Sequence, residues 1–147
     1  MLKQLSVAVL VALVVACGKD EPRVTVAVSG SDFNRAPIQG TTAQMATIPF
    51  RVTNRGSAPA FVTTCGPQVS PVVERLGGSG WEEYAGGFCM LDIISEPMEL
   101  RNGESQSGIA TIMEPGRYRI RALYAQERTV DPHALSPSDA SKAFDVH

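Results

Sequence analysis

After residue 22 the apolar residues recur with a period of two, in short stretches separated by glycine, proline and small polar residues. In residues 23–28, Val24, Val26 and Val28 share one side and Thr25 and Ala27 the other, the pattern of a half-buried strand. In residues 46–54 the apolar side is Ala46, Ile48, Phe50 and Val52, and Pro49 within the stretch predicts an edge strand or a bulge. A turn at 54–57 and the β-branched stretch 59–64 then predict an antiparallel hairpin over 46–64. Residues 72–76 and 81–84 flank Gly77-Gly78-Ser79-Gly80 and predict a second hairpin. Further apolar pieces lie at 91–94, 97–100 and 107–113, and a turn at 102–105 between the last two predicts a meander. The turn Glu114-Pro115-Gly116 opens the most regular strand, 117–124, with Tyr118, Ile120, Ala122 and Tyr124 facing in and Arg117, Arg119 and Arg121 facing out. In residues 142–146, Ala143 and Asp145 alternate with Phe144 and Val146, predicting a last strand paired with 117–124. Segments 29–44 and 126–141 keep no period and read as slack loops, the first anchored by Phe33 or Ile38.

These pieces amount to seven to nine short strands with no helical period beyond residue 16, in a chain with 13 glycines and 10 prolines. They predict an all-β domain, an immunoglobulin-like antiparallel β-sandwich. Pro115-Gly116-Arg117-Tyr118 at the head of the penultimate strand resembles the tyrosine corner of immunoglobulin-like and fibronectin type III sandwiches. That resemblance implies that the Tyr118 hydroxyl bonds back to the backbone upstream.

The run at residues 7–16 is different, because it is unbroken, follows Lys3 and ends at Cys17. Ten apolar residues match a secretory signal and fall short of the roughly 20 that a spanning helix needs. Val14-Val15-Ala16-Cys17 resembles the lipobox of bacterial lipoproteins, with Val14 where leucine is commoner. The resemblance implies a signal peptide over 1–16, a lipid on Cys17, a tether over 17–22 and one domain over 23–147. The alternative is a plain cleavage site beside an ordinary Cys17. Gly18 follows the cysteine where aspartate would favour retention, which implies sorting to the outer membrane in a bacterium with two membranes. Acyl chains contribute about 0.8 kcal/mol per buried methylene, so several of them hold a domain at a bilayer essentially permanently.

Composition narrows the partners. The whole chain has a formal charge of −2, and removing residues 1–16 takes Lys3 with it, leaving −3 on the remaining 131 of 147 residues. That is one domain's length, and its weak acidity gives no electrostatic pull towards nucleic acid. Cys65 and Cys89 would then be exported to an oxidising compartment. They bracket the 72–84 hairpin, whose outer ends lie side by side, so the reading is one disulfide, with two free buried thiols as the alternative.

Catalytic motifs are absent: the sequence has no HExxH, GxSxG, P-loop or CxxC, and its only histidines are His133 and His147. The expectation is a protein that is not an enzyme and holds no metal, with the lipid on Cys17 as its only prosthetic group. Asp131, His133 and Asp139 share a loop without metal-ligand spacing and read as solvated. Arg117, Arg119 and Arg121 either recognise a carboxylate or phosphate or form the wet face of a strand, paired with Glu82, Glu83 or a neighbour. Asn54, Trp81, Phe88, the stretch Leu100-Arg101-Asn102-Gly103-Glu104 and Gly116-Arg117-Tyr118 are, in that order, similar to the BsuPI-type proteinase-inhibitor family, with Asn102 where proline is usual. That resemblance implies a small bacterial sandwich and inhibition of a protease through an exposed loop. Two expectations result: a non-catalytic envelope lipoprotein with an envelope-protein partner, and an anchored proteinase inhibitor. Nothing in the sequence specifies a small-molecule ligand.

Overall fold

The computed structural model describes residues 20–85 and 95–147. Its strands are β1 Val24–Val28, β2 Asp32–Phe33, β3 Ala36–Pro37, β4 Gln44–Asn54, β5 Ala60–Val62, β6 Thr64–Cys65, β7 Gln68–Val69, β8 Pro71–Gly77, β9 Gly80–Glu83, β10 Met98–Leu100, β11 Ser105–Ile112, β12 Gly116–Ala125, β13 Ser136–Pro137 and β14 Phe144–Val146. Nine of these are three residues or longer. Pro132–Ala134 make one 3₁₀ turn, and the described residues contain no α-helix. The protein is all-β, as the period-two pattern predicts.

Two main sheets carry the fold. In the first, β4 lies antiparallel between β1 and β11, and β3 pairs with its first residues. In the second, β12 is the spine. Strands β8 and β5 follow one another along one edge of it, and β14 and β13 lie along the other. β10 extends the sheet beyond β5, and β2 adds to β14 in parallel, so this sheet is mixed.

Alternation explains the core. Ile48, Phe50 and Val52 of β4 and Tyr118, Ile120 and Ala122 of β12 are almost wholly buried, and with Val24, Ile112, Val73 and Phe144 they form one cluster fed by both sheets. Each valine, isoleucine or phenylalanine among them contributes about 1.5–3 kcal/mol on burial. Phe50 lies across β11 at Gly108, where any side chain would overlap its ring. Phe33 is the half-buried anchor of the 29–44 segment and meets Phe144 edge-on, with ring centroids 5.4 Å apart.

The structure corrects three sequence expectations of connectivity. Residues 46–64 are not a hairpin: β4 belongs to the first sheet and β5 to the second, so residues 55–59 cross between sheets. The reason is Asn54, which continues the core parity of Ala46, Ile48, Phe50 and Val52 and is fully buried. Its amide donates to the Ala58 and Leu100 carbonyls at 2.8 and 2.9 Å, and its Oδ1 accepts from the Gly56 and Arg23 backbone N–H groups at 2.9 and 3.2 Å. Four bonds from one side chain hold the chain where it leaves the sheet. Residues 97–113 are likewise not a meander, because β10 pairs with β5 and β11 with β4. The turn at 102–105 is present, with Gly103 at φ +77° and the Glu104 N–H donating to the Arg101 carbonyl at 3.0 Å, but it too crosses between sheets. Thirdly, β4 is central, not an edge. Pro49 is tolerated because the β1 register ends at Phe50 and the β3 register begins at Met45, leaving that side of the strand open at position 49.

Other expectations hold. β8 and β9 form the glycine hairpin, with Gly77 opposite Gly80, and β14 pairs with β12 from Gly116↔Val146 to Tyr118↔Phe144. The apolar piece expected at 91–94 lies outside the described residues.

Candidate functional site

The outward face of β8, β9 and β12 gathers the charged residues that the sequence singles out. Register places Arg119 directly opposite Glu74 and Tyr118 opposite Arg75, so Glu74 stands among the outward arginines. Arg119 Nε donates to Glu74 Oε2, and Arg121 Nε reaches the same oxygen at 3.1 Å. The Arg119 guanidinium lies 4.5 Å from the centre of the Trp81 ring, where the negative ring face attracts it. Arg121 also donates to the Ser138 carbonyl at 2.7 Å, and Arg117 pairs with Asp145 at 2.9 Å.

Burial alone would raise the Glu74 pKa, but hydrogen bonds from Arg119 and Arg121, with their charges, outweigh it and hold the carboxyl below its ordinary value. Side-chain exposures of 22%, 25% and 18% for Arg119, Arg121 and Glu74 place this triad between a solvated ion pair and a buried one. Two guanidinium groups share one carboxylate, so the cluster keeps one positive charge. An anionic ligand would have to compete with Glu74 for it. Arg117 is further out and its pair with Asp145 is half-exposed, so it contributes little to stability. The carboxylate partners are thus Glu74 and Asp145. Glu82 instead accepts from the Ser79 hydroxyl.

The segment after β13 was legible only as a loop, yet it is tightly held. Ser138 and Ser141 are buried. The Ser138 and Ser141 N–H groups donate to the Ala122 and Ile120 carbonyls, both at 2.8 Å. Their hydroxyls accept from the Ala122 and Ile120 N–H groups at 2.9 and 3.0 Å. Residues 139 and 140 bulge away from β12, and the serine side chains stand in for the carbonyls that a regular strand would offer. The Asp139 N–H donates to the Val24 carbonyl at 3.0 Å, tying this edge to the first sheet. The only sequence signal for this is the Ser-x-x-Ser spacing of Ser138 and Ser141.

At the head of β12, the fully buried Tyr118 donates its hydroxyl to the Glu114 carbonyl at 2.9 Å. Burial pushes its pKa up, so the phenol stays protonated. Tyr84 meets the same ring edge-on at 5.3 Å.

The remaining candidates do not converge. Asp131 caps the 3₁₀ turn by accepting from the His133 N–H at 3.0 Å, whereas Asp139 pairs with Arg23 at 3.3 Å. No group of three His, Cys, Asp or Glu suited to a metal occurs among the described residues. Cys65 is half-buried in β6 and is not free. Cys17 and Cys89 lie outside the described residues, and no described helix is long and apolar enough to cross a membrane.

No protein-family model and no curated protein matches this chain. Its fold is similar to a crystal structure of a Bordetella pertussis protein assigned as ApaA, at 19% identity and a TM-score of 0.47, over 81% of this chain and 90% of that one. It is also similar to part of a β-glucosidase of intestinal bacteria involved in saponin metabolism, at 13% identity and a TM-score of 0.35, over 86% of this chain but only 16% of that one. At these identities the likeness concerns the fold alone.

Proposed function

We propose that the chain is a lipoprotein of the cell envelope, in the outer membrane where the bacterium has one, held by acyl chains on Cys17. Its domain is an immunoglobulin-like β-sandwich that binds an envelope partner or has a structural role there, without catalysis. The observation that carries this reading is the lipobox-like run ending at Cys17, placed five residues before Pro22, the first buried residue among those described. The corner bond from Tyr118 to Glu114 supports the immunoglobulin-like assignment. That Cys65 is not free supports a disulfide with Cys89 and hence export. Detergent phase separation tests the anchor: the wild type partitions into detergent and Cys17→Ala stays in water. Equal partitioning of the two would remove the lipid from this account.

One observation favours a second reading, an anchored proteinase inhibitor. The 29–44 segment was expected to be slack, but its tip is braced. The Ile38 N–H donates to the Ala43 carbonyl at 2.9 Å, and the Thr41 hydroxyl and N–H both donate to the Ile38 carbonyl, at 3.1 and 3.0 Å. Gly40 supplies the positive φ of +79° that the tight loop needs. A pre-organised, exposed loop is what an inhibitor inserts. Residues 18–147, assayed at micromolar concentration against serine, cysteine and metalloproteases, decide the matter, and no slowing of any protease removes this reading.

A further inference from the structure

The first described residues are fixed to the domain, not trailing from it. Pro22 is buried, the Arg23 N–H donates to Asn54 Oδ1 at 3.2 Å, and the Arg55 N–H donates to the Arg23 carbonyl at 2.6 Å. Gly56 packs so closely on this segment that a Cβ there would overlap the Glu21 carbonyl and the Arg23 nitrogen. The Asn102 amide closes the same end by donating to the Gly56 carbonyl at 2.7 Å. Among the described residues, Glu21 is thus already packed against the domain. From Cys17 to Glu21 is four residue steps, about 14 Å when fully extended.

That length sets an orientation. We propose that the end of the domain built from Arg23, the 55–58 crossover and the 102–103 turn lies against phospholipid headgroups, with β1 and β4 rising away from the bilayer. This rests on the lipid anchor proposed above. The first sheet is antiparallel, so its strand ends define the far rim. β4 begins at Gln44 and ends at Asn54, beside the tether, and its ten steps of about 3.4 Å put the 38–43 loop roughly 34 Å further along the strand. The near end carries charges of both signs, with Arg23 paired to Asp139 and Arg101 to Glu99. Chain length, not net attraction, therefore sets the contact, and the contact should persist in high salt. Partners in the envelope would meet the rim that bears the 38–43 loop.

The test uses the full lipidated protein in phosphatidylcholine vesicles doped with a headgroup spin-labelled lipid. A fluorophore is placed on Ser57→Cys or on Gln39→Cys, both exposed positions, and the background of unsubstituted protein is subtracted. The 57 reporter should lose most of its emission at low and high salt, while the 39 reporter keeps its own. Inserting twelve Gly/Ser residues after Gly18 should relieve the quenching at 57. Equal quenching at both sites, or stronger quenching at 39, in protein that floats with the vesicles overturns the orientation and leaves the anchor standing. Protein that fails to float overturns the anchor and the orientation with it.

Discussion

The hydroxyl of Tyr118 donates to the carbonyl of Glu114 at 2.9 Å, so the largest fully buried ring in the core also closes the turn that starts the central strand of the second sheet. Tyr118→Phe keeps the ring and deletes the bond. It should cost about 1 kcal/mol, the usual net value of one buried hydrogen bond, and lower the melting midpoint by about 3–5 °C. An unchanged midpoint would make Tyr118 a packed ring and nothing more.

Asn54 is the hub of the crossover between sheets. Asn54→Ala strands the carbonyls of Ala58 and Leu100 and the N–H groups of Arg23 and Gly56. A loss of roughly 2–4 kcal/mol is expected in urea unfolding, whereas exposed Asn102→Ala, which breaks one bond, should cost about 1 kcal/mol or less. Equal losses from the two substitutions would contradict the hub.

Glu74 gives the domain an acid-sensitive contact. Its folded pKa lies below the ordinary 4.5, because its arginine hydrogen bonds outweigh burial. Below 4.5 the unfolded chain thus binds more protons at this site than the folded one. The contribution is fully present above 4.5 and is lost as pH falls through the lowered folded value. Glu74→Gln should remove about 1–3 kcal/mol at pH 7 and less than that at pH 3, as read from urea midpoints at the two pH values. A cost that does not shrink in acid would show that the triad is not stabilised by its charges.

How much of this was readable beforehand depended on whether a signal was local. Strand parity is local, so Val24 to Val28, Ile48 to Val52 and Tyr118 to Ala122 were placed on the core side from sequence alone. Strand partners are not local. The turns at 54–57 and 102–105 were recognised as turns, but a turn residue does not say whether the next strand returns to the same sheet. Asn54 held the missing clue, since it continues the apolar parity of β4 and a polar residue there needs partners from elsewhere. The arginine row was seen and its main partner was not. Glu74 becomes the neighbour of Arg119 only through the β8–β12 register, which no spacing within the chain reveals. The burial of Ser138 and Ser141 has no local signal, because 126–141 keeps no apolar period and serine usually faces water.

The cysteines can be tested without reference to partners. In the exported, air-oxidised protein, Cys65 and Cys89 should not react with a thiol reagent until reduced. Reduction should then lower stability by roughly 3–4 kcal/mol, since it frees the twenty-three residues between the two cysteines. Two reactive thiols in the native protein would remove both the pairing and the inference of an oxidising compartment.

The central claim is the lipid, and the mature N-terminus tests it most directly. Mass spectrometry of the protein isolated from membranes of its native host should find an N-terminal peptide that begins at Cys17 and carries diacylglycerol on its sulfur. An N-terminal peptide that begins at Met1, or at Cys17 with no added mass, would contradict the account.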